Sequence, residues 1–211
     1  MASSIATARE ARQRAQSDAR RSLILDAARA AFAELGLEGA SLREIARRAG
    51  YTPGAIYSYF ASKEDVYAAL LGESLERVVA QVEAARARSA KLGPAATVHA
   101  TATAFFDFYR DHPRDLDLGF YLFPGMQPRG LTPALNRALN ERLRDALRAT
   151  EAALQALGMA PADTLVEITA LFAHMVGLLM LGHTGRIRMF RQSPSGLLAT
   201  YLERLVARAA A

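Results

Sequence analysis

Residues 41–65, SLREIARRAGYTPGAIYSYFASKED, contain two short helix patterns separated by a glycine. Ser41 and, three residues later, Glu44 form a capping box, which is a signal for the start of a helix. Thr52 followed by Pro53 is a second start signal, because threonine is a good N-cap and proline fits the first helical position. Two helices joined by such a short turn are typical of a helix–turn–helix motif.

A longer helix is predicted upstream of this motif. Apolar residues recur at i, i+3 and i+4 spacing from Leu23 to Leu35, which predicts a helix that begins near Arg20 and ends at Gly36. Together with the two short helices it forms a predicted DNA-binding domain over residues 20–66.

The first residues of the chain lack any apolar period. Residues 1–19 are rich in arginine and hold no apolar stretch of the kind that a signal peptide needs. We therefore predict a basic, disordered arm, whose arginines suit a polyanionic partner.

Downstream of the motif, the pattern predicts an all-α fold of about nine helices, with a larger helical domain over residues 67–211. The chain has 211 residues, of which 51% are hydrophobic, and no strand pattern competes with the helical one. Proline and glycine mark the helix ends. The predicted later helices run from Lys63 to about Lys91, from Pro94 to about Asp111, over a short piece ending near Leu122, from Thr132 to near Gly158, from Pro161 to near Gly182, and from Ser193 to the C-terminus.

The segment 165–181 is almost wholly apolar and resembles a membrane span in composition. It is shorter than the roughly 20 residues that a span needs, and it contains Glu167 and His174. We expect a helix buried on all sides, by the core on one face and by a partner subunit on the other. The predicted dimer interface comprises Leu171, Leu178, Leu197, Leu198, Tyr201, Leu202 and Leu205.

The second short helix has a predicted core face and an opposite face that carries only small side chains. A wheel at about 100° per residue places Thr52, Ile56 and Phe60 together, as a core face. The opposite face carries the small residues Gly54, Ala55 and Ser58, and it is flanked by Tyr57 and Tyr59. Such a helix fits a DNA major groove, where the two phenols can donate hydrogen bonds to phosphates. In the alternative interpretation, both tyrosines pack between helices.

Two basic residues complete the predicted DNA contacts. Arg43 suits a guanine edge, and Lys63 suits a phosphate. The net charge of +5 is spread along the chain, so charge alone indicates no site. The predicted DNA-binding residues are Ser41, Arg43, Thr52, Pro53, Gly54, Ala55, Tyr57, Ser58, Tyr59 and Lys63.

Residues 41–64 resemble the DNA-binding signature of TetR-type transcriptional regulators. They contain the family's Ile-Ala, Ala-Gly, Gly, Tyr, aromatic-Phe and Ser-Lys-Glu elements at the family spacing, with Tyr51 where valine is commoner and Ser41 where threonine is commoner. The resemblance covers about residues 20–66. It implies a bacterial, cytoplasmic, DNA-associated regulator, in which a second helical domain dimerises through its last two long helices and binds a small-molecule effector.

On this basis the predicted function is a ligand-responsive repressor, which binds an inverted-repeat operator as a homodimer and is released by a small apolar or aromatic effector. Aromatic residues and methionines concentrate in the second domain, although plain core packing would explain each of them. The candidate pocket residues are Phe105, Tyr109, Phe120, Tyr121, Phe123, Phe172, His174 and Met175.

Three other non-enzymatic functions are compatible with these sequence features. An activator, or a regulator without a ligand, fits the DNA-binding signature equally well, and a helical adaptor would use Tyr57 and Tyr59 on a protein. The chain has no cysteine, no nucleotide-binding glycine motif and no histidine pair with zinc-site spacing. The sequence therefore predicts no enzyme, no cofactor and no metal.

Overall fold

The computed structural model describes residues 2–120 and 132–211, and all regular elements within these ranges are helical. The prediction of an all-α fold is confirmed for this part of the chain. Two 3-10 helices, Ala90–Leu92 and Arg186–Phe190, accompany the α-helices. The α-helices are α1 (Ala2–Gly39), α2 (Leu42–Ala49), α3 (Pro53–Tyr57), α4 (Lys63–Ser89), α5 (Pro94–Asp111), α6 (Pro113–Phe120), α7 (Pro133–Ala156), α8 (Pro161–His183) and α9 (Pro194–Ala209).

The predicted caps of the helix–turn–helix motif are present. The Ser41 hydroxyl accepts a hydrogen bond from the Glu44 backbone N–H at 3.2 Å, and Thr52 accepts one from Ala55 at 3.3 Å. Gly50 ends α2 in the left-handed conformation, with φ 73°, which glycine adopts without strain. Local side-chain chemistry therefore sets both ends of the turn.

Helix α1 begins earlier than the sequence predicted. The structure has a helix from Ala2 where a disordered arm was expected, and the helical geometry breaks at the predicted stop, Gly36, with φ 69°. Residues 2–19 consist largely of Ala, Arg and Gln without proline or glycine, so helix propensity continues α1 although no apolar stripe does. The side chains from Arg9 to Arg20 are all exposed.

The residues separate into two compact units, one of which runs through Leu71. Its core is formed by apolar side chains from α1 to the start of α4, and the rings of Phe32 and Tyr67 meet edge-on at 6.0 Å. Leu23 and Leu35, which belong to the predicted stripe, are exposed. The buried residues of this unit include Ile24, Leu25, Ala28, Ile45, Ile56, Phe60, Val66 and Leu70.

The second unit contains Gly72–Phe120 and Pro133–Ala211. Within it α5 packs most extensively against α7, and α8 packs against α9. The buried hydroxyls of Thr101 and Thr150 are 2.8 Å apart and join α5 to α7. The buried residues include Val98, Phe105, Phe106, Leu154, Leu171, Met175, Leu202 and Leu205.

Helix α8 buries one face in a single chain. It is long and apolar enough to cross a membrane, with a mean hydropathy of 1.9 over 18 residues, but only 28% of that window is buried within the chain. Leu165 and Val166 are 47% and 68% exposed. The chain's own core therefore covers α8 on one face only.

Burial divides the residues of the predicted dimer interface. Leu197 and Tyr201 are half-exposed, whereas the other five are at most 5% exposed and pack within the chain's own core. A leucine stripe on a helix has the same spacing whether it packs on its own core or on another subunit, so the interface stays a prediction. The five buried residues are Leu171, Leu178, Leu198, Leu202 and Leu205.

Candidate nucleic-acid interface

Helix α3 presents small residues outward, as the sequence predicted. Ile56 is fully buried and Phe60 is 6% exposed, whereas Gly54 and Ser58 are exposed and Ala55 is half-buried. A Cβ atom added at Gly54 would have no heavy atom of the described residues within 4 Å. The outward face of α3 is thus open to close approach by a large partner.

Thr52 does not belong to the core face. It is exposed, and its hydroxyl caps α3. The helix spans only Pro53–Tyr57, so Thr52 precedes it and a helical wheel does not describe its direction. This part of the sequence prediction was wrong.

Tyr57, the last residue of α3, and Tyr59, two residues after it, differ in their surroundings. Tyr57 is 57% exposed, so it does not pack between helices. Tyr59 is half-buried, and it lines a groove together with residues of the N-terminal part of α1. Tyr57 therefore presents its phenol beside α3, and Tyr59 presents part of its ring to the groove.

The arginines of α2 are not equivalent. Arg47 donates two hydrogen bonds to Glu44, at 2.9 and 2.7 Å, and Arg48 donates to both Glu44 and Glu34 at 2.7 Å. The hydrogen bonds from Arg47 and Arg48 lower the pKa of Glu44 to about 2, so its carboxylate is ionised at neutral pH. Arg43 is exposed and has no carboxylate partner among the described residues. It is the arginine of α2 whose guanidinium stays available.

Lys63 has a structural contact that the sequence did not indicate. Its ammonium donates hydrogen bonds to the carbonyl oxygens of Leu37, at 2.9 Å, and Glu38, at 3.4 Å. These carbonyls follow the break in α1 and would otherwise lack a donor. One of the three ammonium donors remains for another partner. The contact spans 26 residues in sequence, and no local pattern reports it.

The predicted DNA-binding residues lie on α2, on α3 or close to their ends, except for Lys63, which is the first residue of α4. None of the ten is buried, which leaves each of them accessible to a partner. Ala55, Tyr59 and Lys63 are half-buried. The exposed ones are Ser41, Arg43, Thr52, Pro53, Gly54, Tyr57 and Ser58.

Three of the predicted effector residues, Phe105, Tyr109 and Phe172, form a packed aromatic cluster. Phe105 and Tyr109 are each 1% exposed, with ring centroids 5.1 Å apart, and the Phe172 ring lies 6.1 Å from Phe105. Burial, and then the charge of Asp115, raise the pKa of Tyr109. Met175 is fully buried. Tyr121 and Phe123 lie outside the described residues, and Phe120 is the last residue of α6.

His174 occupies a different position, between α8 and α9. Its ring stacks on Tyr201, with centroids 4.4 Å apart, and its buried Nε2 atom has no hydrogen-bond partner among the residues that the structure describes. Burial lowers the pKa of His174, which favours the neutral imidazole. An effector role for His174 stays a prediction.

The second unit also contains an open groove that the sequence did not indicate. It has a volume of about 770 Å³ and is lined by residues of α4, α5 and α9, among them Arg88, His99, Asp107 and Glu203. Such residues are distant in sequence, so no motif could report the groove.

The comparison with known proteins centres on the same N-terminal segment. Residues 24–70 match the family model described as bacterial regulatory proteins, tetR family. The transcriptional repressor AcnR of Corynebacterium diphtheriae is 42% identical over 59 residues, which are 28% of this chain and 31% of AcnR. The transcriptional activator FasR of Mycolicibacterium smegmatis is 34% identical over 91 residues, which are 43% of this chain and 41% of FasR. The chain thus spans less than half the length of either relative.

The whole-chain similarity lies in the fold. The transcriptional regulator FadR from Bacillus subtilis, solved in complex with stearoyl-CoA, has a TM-score of 0.67 and 21% identity, covering 87% of this chain and 96% of that one. At this identity the likeness shows the helical architecture alone. Residues 24–70 thus form a helix–turn–helix segment of the tetR type, in a chain whose helical architecture resembles that of FadR.

Proposed function

We propose that the chain is a homodimeric transcriptional regulator of the bacterial cytoplasm, which inserts α3 into the major groove of operator DNA. The observation that carries this proposal is the open face of α3, where Gly54 and Ser58 are exposed next to the exposed phenol of Tyr57. A major groove admits a helix, and hydroxyl groups at its flanks position the helix on phosphates.

The sign of regulation is proposed to be repression. AcnR, which is 42% identical over 59 residues, is named a repressor. A dimer bound to an operator can block access to a promoter. Activation is the second candidate, because FasR, which matches a longer segment, is named an activator. A reporter gene behind the operator separates the two: deletion of the regulator raises expression for a repressor and lowers it for an activator.

Dimerisation is proposed to use the outward face of α8. Leu165, Val166, Ala170 and Ala173 are exposed there, and Leu197 and Tyr201 of α9 are half-exposed. An apolar helix face left open on a single chain favours a second copy, since most soluble oligomers are symmetric homodimers. Two recognition helices in a dimer fit half-sites about 34 to 36 Å apart.

The effector is proposed to be a small molecule with a large apolar part. The side chains around Phe105, Tyr109 and Phe172 are packed together, so an effector that separates them would meet apolar surface. The fold is also shared with FadR, which was solved with stearoyl-CoA. The effector can weaken DNA binding only by as much as it binds the conformation with low DNA affinity more tightly than the DNA-binding conformation. We expect stearoyl-CoA, but not coenzyme A alone, to weaken operator binding in a fluorescence-anisotropy titration. Equal effects of the two compounds would contradict an apolar effector.

Replacement of Arg43 by alanine is expected to relax the sequence preference at one operator position. A bidentate arginine–guanine contact contributes about 1 to 3 kcal/mol of discrimination. Competition between operators that differ at single positions measures this loss. Arg47→Ala is the matched control, because Arg47 is occupied by Glu44 and its removal should leave the preference intact. A uniform loss of affinity for all sequences would instead assign Arg43 to the DNA backbone.

Replacement of Lys63 by alanine is expected to lower stability and DNA affinity together. The variant loses the hydrogen bonds to Leu37 and Glu38, and bonds from a charged group contribute roughly 1.5 to 3 kcal/mol. If the remaining donor contacts a phosphate, the salt dependence of binding also falls by about one ion. Thermal unfolding and a salt titration measure the two effects separately. An unchanged salt dependence would remove Lys63 from the phosphate contacts.

A further inference from the structure

The first unit contains a groove between Tyr59 and the N-terminal part of α1. Its volume is about 510 Å³. We call it the arginine groove, after the three arginines in its lining: Arg9, Arg12, Gln13, Gln16, Ser17, Arg20 and Tyr59.

The spacing of the arginines places them on one side of α1. At about 100° per residue, Arg9, Gln13, Gln16 and Arg20 fall within an arc of about 60°, and Arg12 lies about 40° beyond it. This side of the helix is therefore polar and basic along three turns. It is also regular, because the helix is continuous from Ala2 to the break at Gly36.

Carboxylates are absent from this side of the helix. Glu10 lies about 90° and Asp18 about 170° from the centre of this 60° arc. Among the described residues, Arg9, Arg12 and Arg20 have no carboxylate partner, and residues 9–20 are all exposed. Three unpaired cations and one phenol thus line the same concave surface.

The length of the groove suits a nucleic-acid strand. Arg9 and Arg20 are separated by about 16 Å along the axis of a helix that rises 1.5 Å per residue. A strand of B-DNA carries about five phosphates over this distance, at 3.4 Å each. Arginine is suited to phosphate because its planar guanidinium donates two parallel hydrogen bonds.

We propose that the arginine groove is a second phosphate-binding site, which takes the sugar–phosphate backbone of the same duplex that α3 enters. This inference rests on the proposed DNA-binding function and extends it, since it gives a role to the helical segment before residue 20. Tyr59 belongs to both sites, because it follows α3 in sequence and lines the groove. The contacts of the arginine groove are to the DNA backbone, so they strengthen binding without changing which DNA sequence the protein prefers.

The test compares two arginines on opposite sides of α1 in the full-length chain. Arg12→Gln removes a cation from the groove, whereas Arg14→Gln removes the same charge from the same helix about 160° away. We expect Arg12→Gln to lower operator affinity several-fold and to reduce the slope of log K against log salt by about 0.9. Arg9→Gln combined with Arg12→Gln should reduce the slope by about twice that amount. Arg14→Gln should leave both quantities at the wild-type values.

The consensus sequence selected from random DNA should be the same for all these variants. Equal salt slopes for Arg12→Gln and Arg14→Gln would overturn the groove as a phosphate site, even if wild-type protein selects an operator. If wild-type protein selects no DNA sequence, the proposed function itself fails. Glutamine is a good helix former, and far-UV circular dichroism checks that α1 remains helical.

Discussion

Replacement of Gly54 by glutamate is expected to lower operator affinity by roughly 100-fold, which corresponds to about 3 kcal/mol. Gly54 is exposed at the start of α3, on the face that we assign to the major groove. A carboxylate there would meet phosphates of like charge. The protein itself should tolerate the change, because no heavy atom of the described residues lies within 4 Å of an added Cβ atom. A negative charge in the first turn of a helix is also favourable, so we expect no decrease in the thermal unfolding midpoint.

Gly54→Gln is the matched control, with a side chain of the same length and no charge. It should lose part of the affinity through its bulk, and the difference between the two variants should shrink as salt is added. Wild-type affinity in Gly54→Glu, with the fold intact, would contradict the placement of α3 in the groove. Operator titrations by fluorescence anisotropy at two salt concentrations measure both effects.

Replacement of Val166 by glutamate is expected to convert the dimer to a monomer at micromolar concentration. Val166 is 68% exposed on α8 in a single chain, so we expect the new carboxylate to leave the stability of the monomer unchanged. It destabilises the dimer because a second subunit would cover it. An unpaired charge buried in an apolar interface costs at least about 3 kcal/mol, or roughly 100-fold in the dissociation constant. Affinity for an inverted repeat should fall with it, because a monomer contacts one half-site only.

Leu92→Glu is the control for the charge itself, since Leu92 is 74% exposed in the 3-10 helix after α4. This variant should remain dimeric in sedimentation velocity. A dimeric Val166→Glu variant, or a monomeric wild type, would contradict the assignment of the α8 face. Leu171→Glu is not an equivalent test, because Leu171 is fully buried in the chain and its replacement would disrupt folding.

The helix–turn–helix motif was predictable because its signals are local. Ser41 and Thr52 cap helices within three residues of themselves, and Gly50 supplies the one left-handed backbone conformation that the turn requires. The core position of Ile56 followed from helical period alone. Thr52 was misplaced because α3 is too short for a wheel to extend beyond it.

The remaining differences between the sequence prediction and the structure have two other causes. Some contacts join residues that are distant in sequence, and a core face and an interface face of a helix have the same sequence pattern. The bond from Lys63 to Leu37 joins residues 26 positions apart, and no periodicity encodes it. The buried leucines of α8 and α9, such as Leu202, have the spacing of an interface and of a core equally. The helix before Arg20 was missed because amphipathic periodicity was used as the signal, and this segment is helical through propensity without an apolar face.

Selection of bound duplexes from random DNA by the 211-residue chain tests whether it recognises DNA as a dimer through α3. We expect the selected sequences to contain an inverted repeat, with half-site centres about 34 to 36 Å apart, or roughly one helical turn or a multiple of it. Recovery of no enriched sequence, or of a single half-site without a symmetric mate, would contradict it.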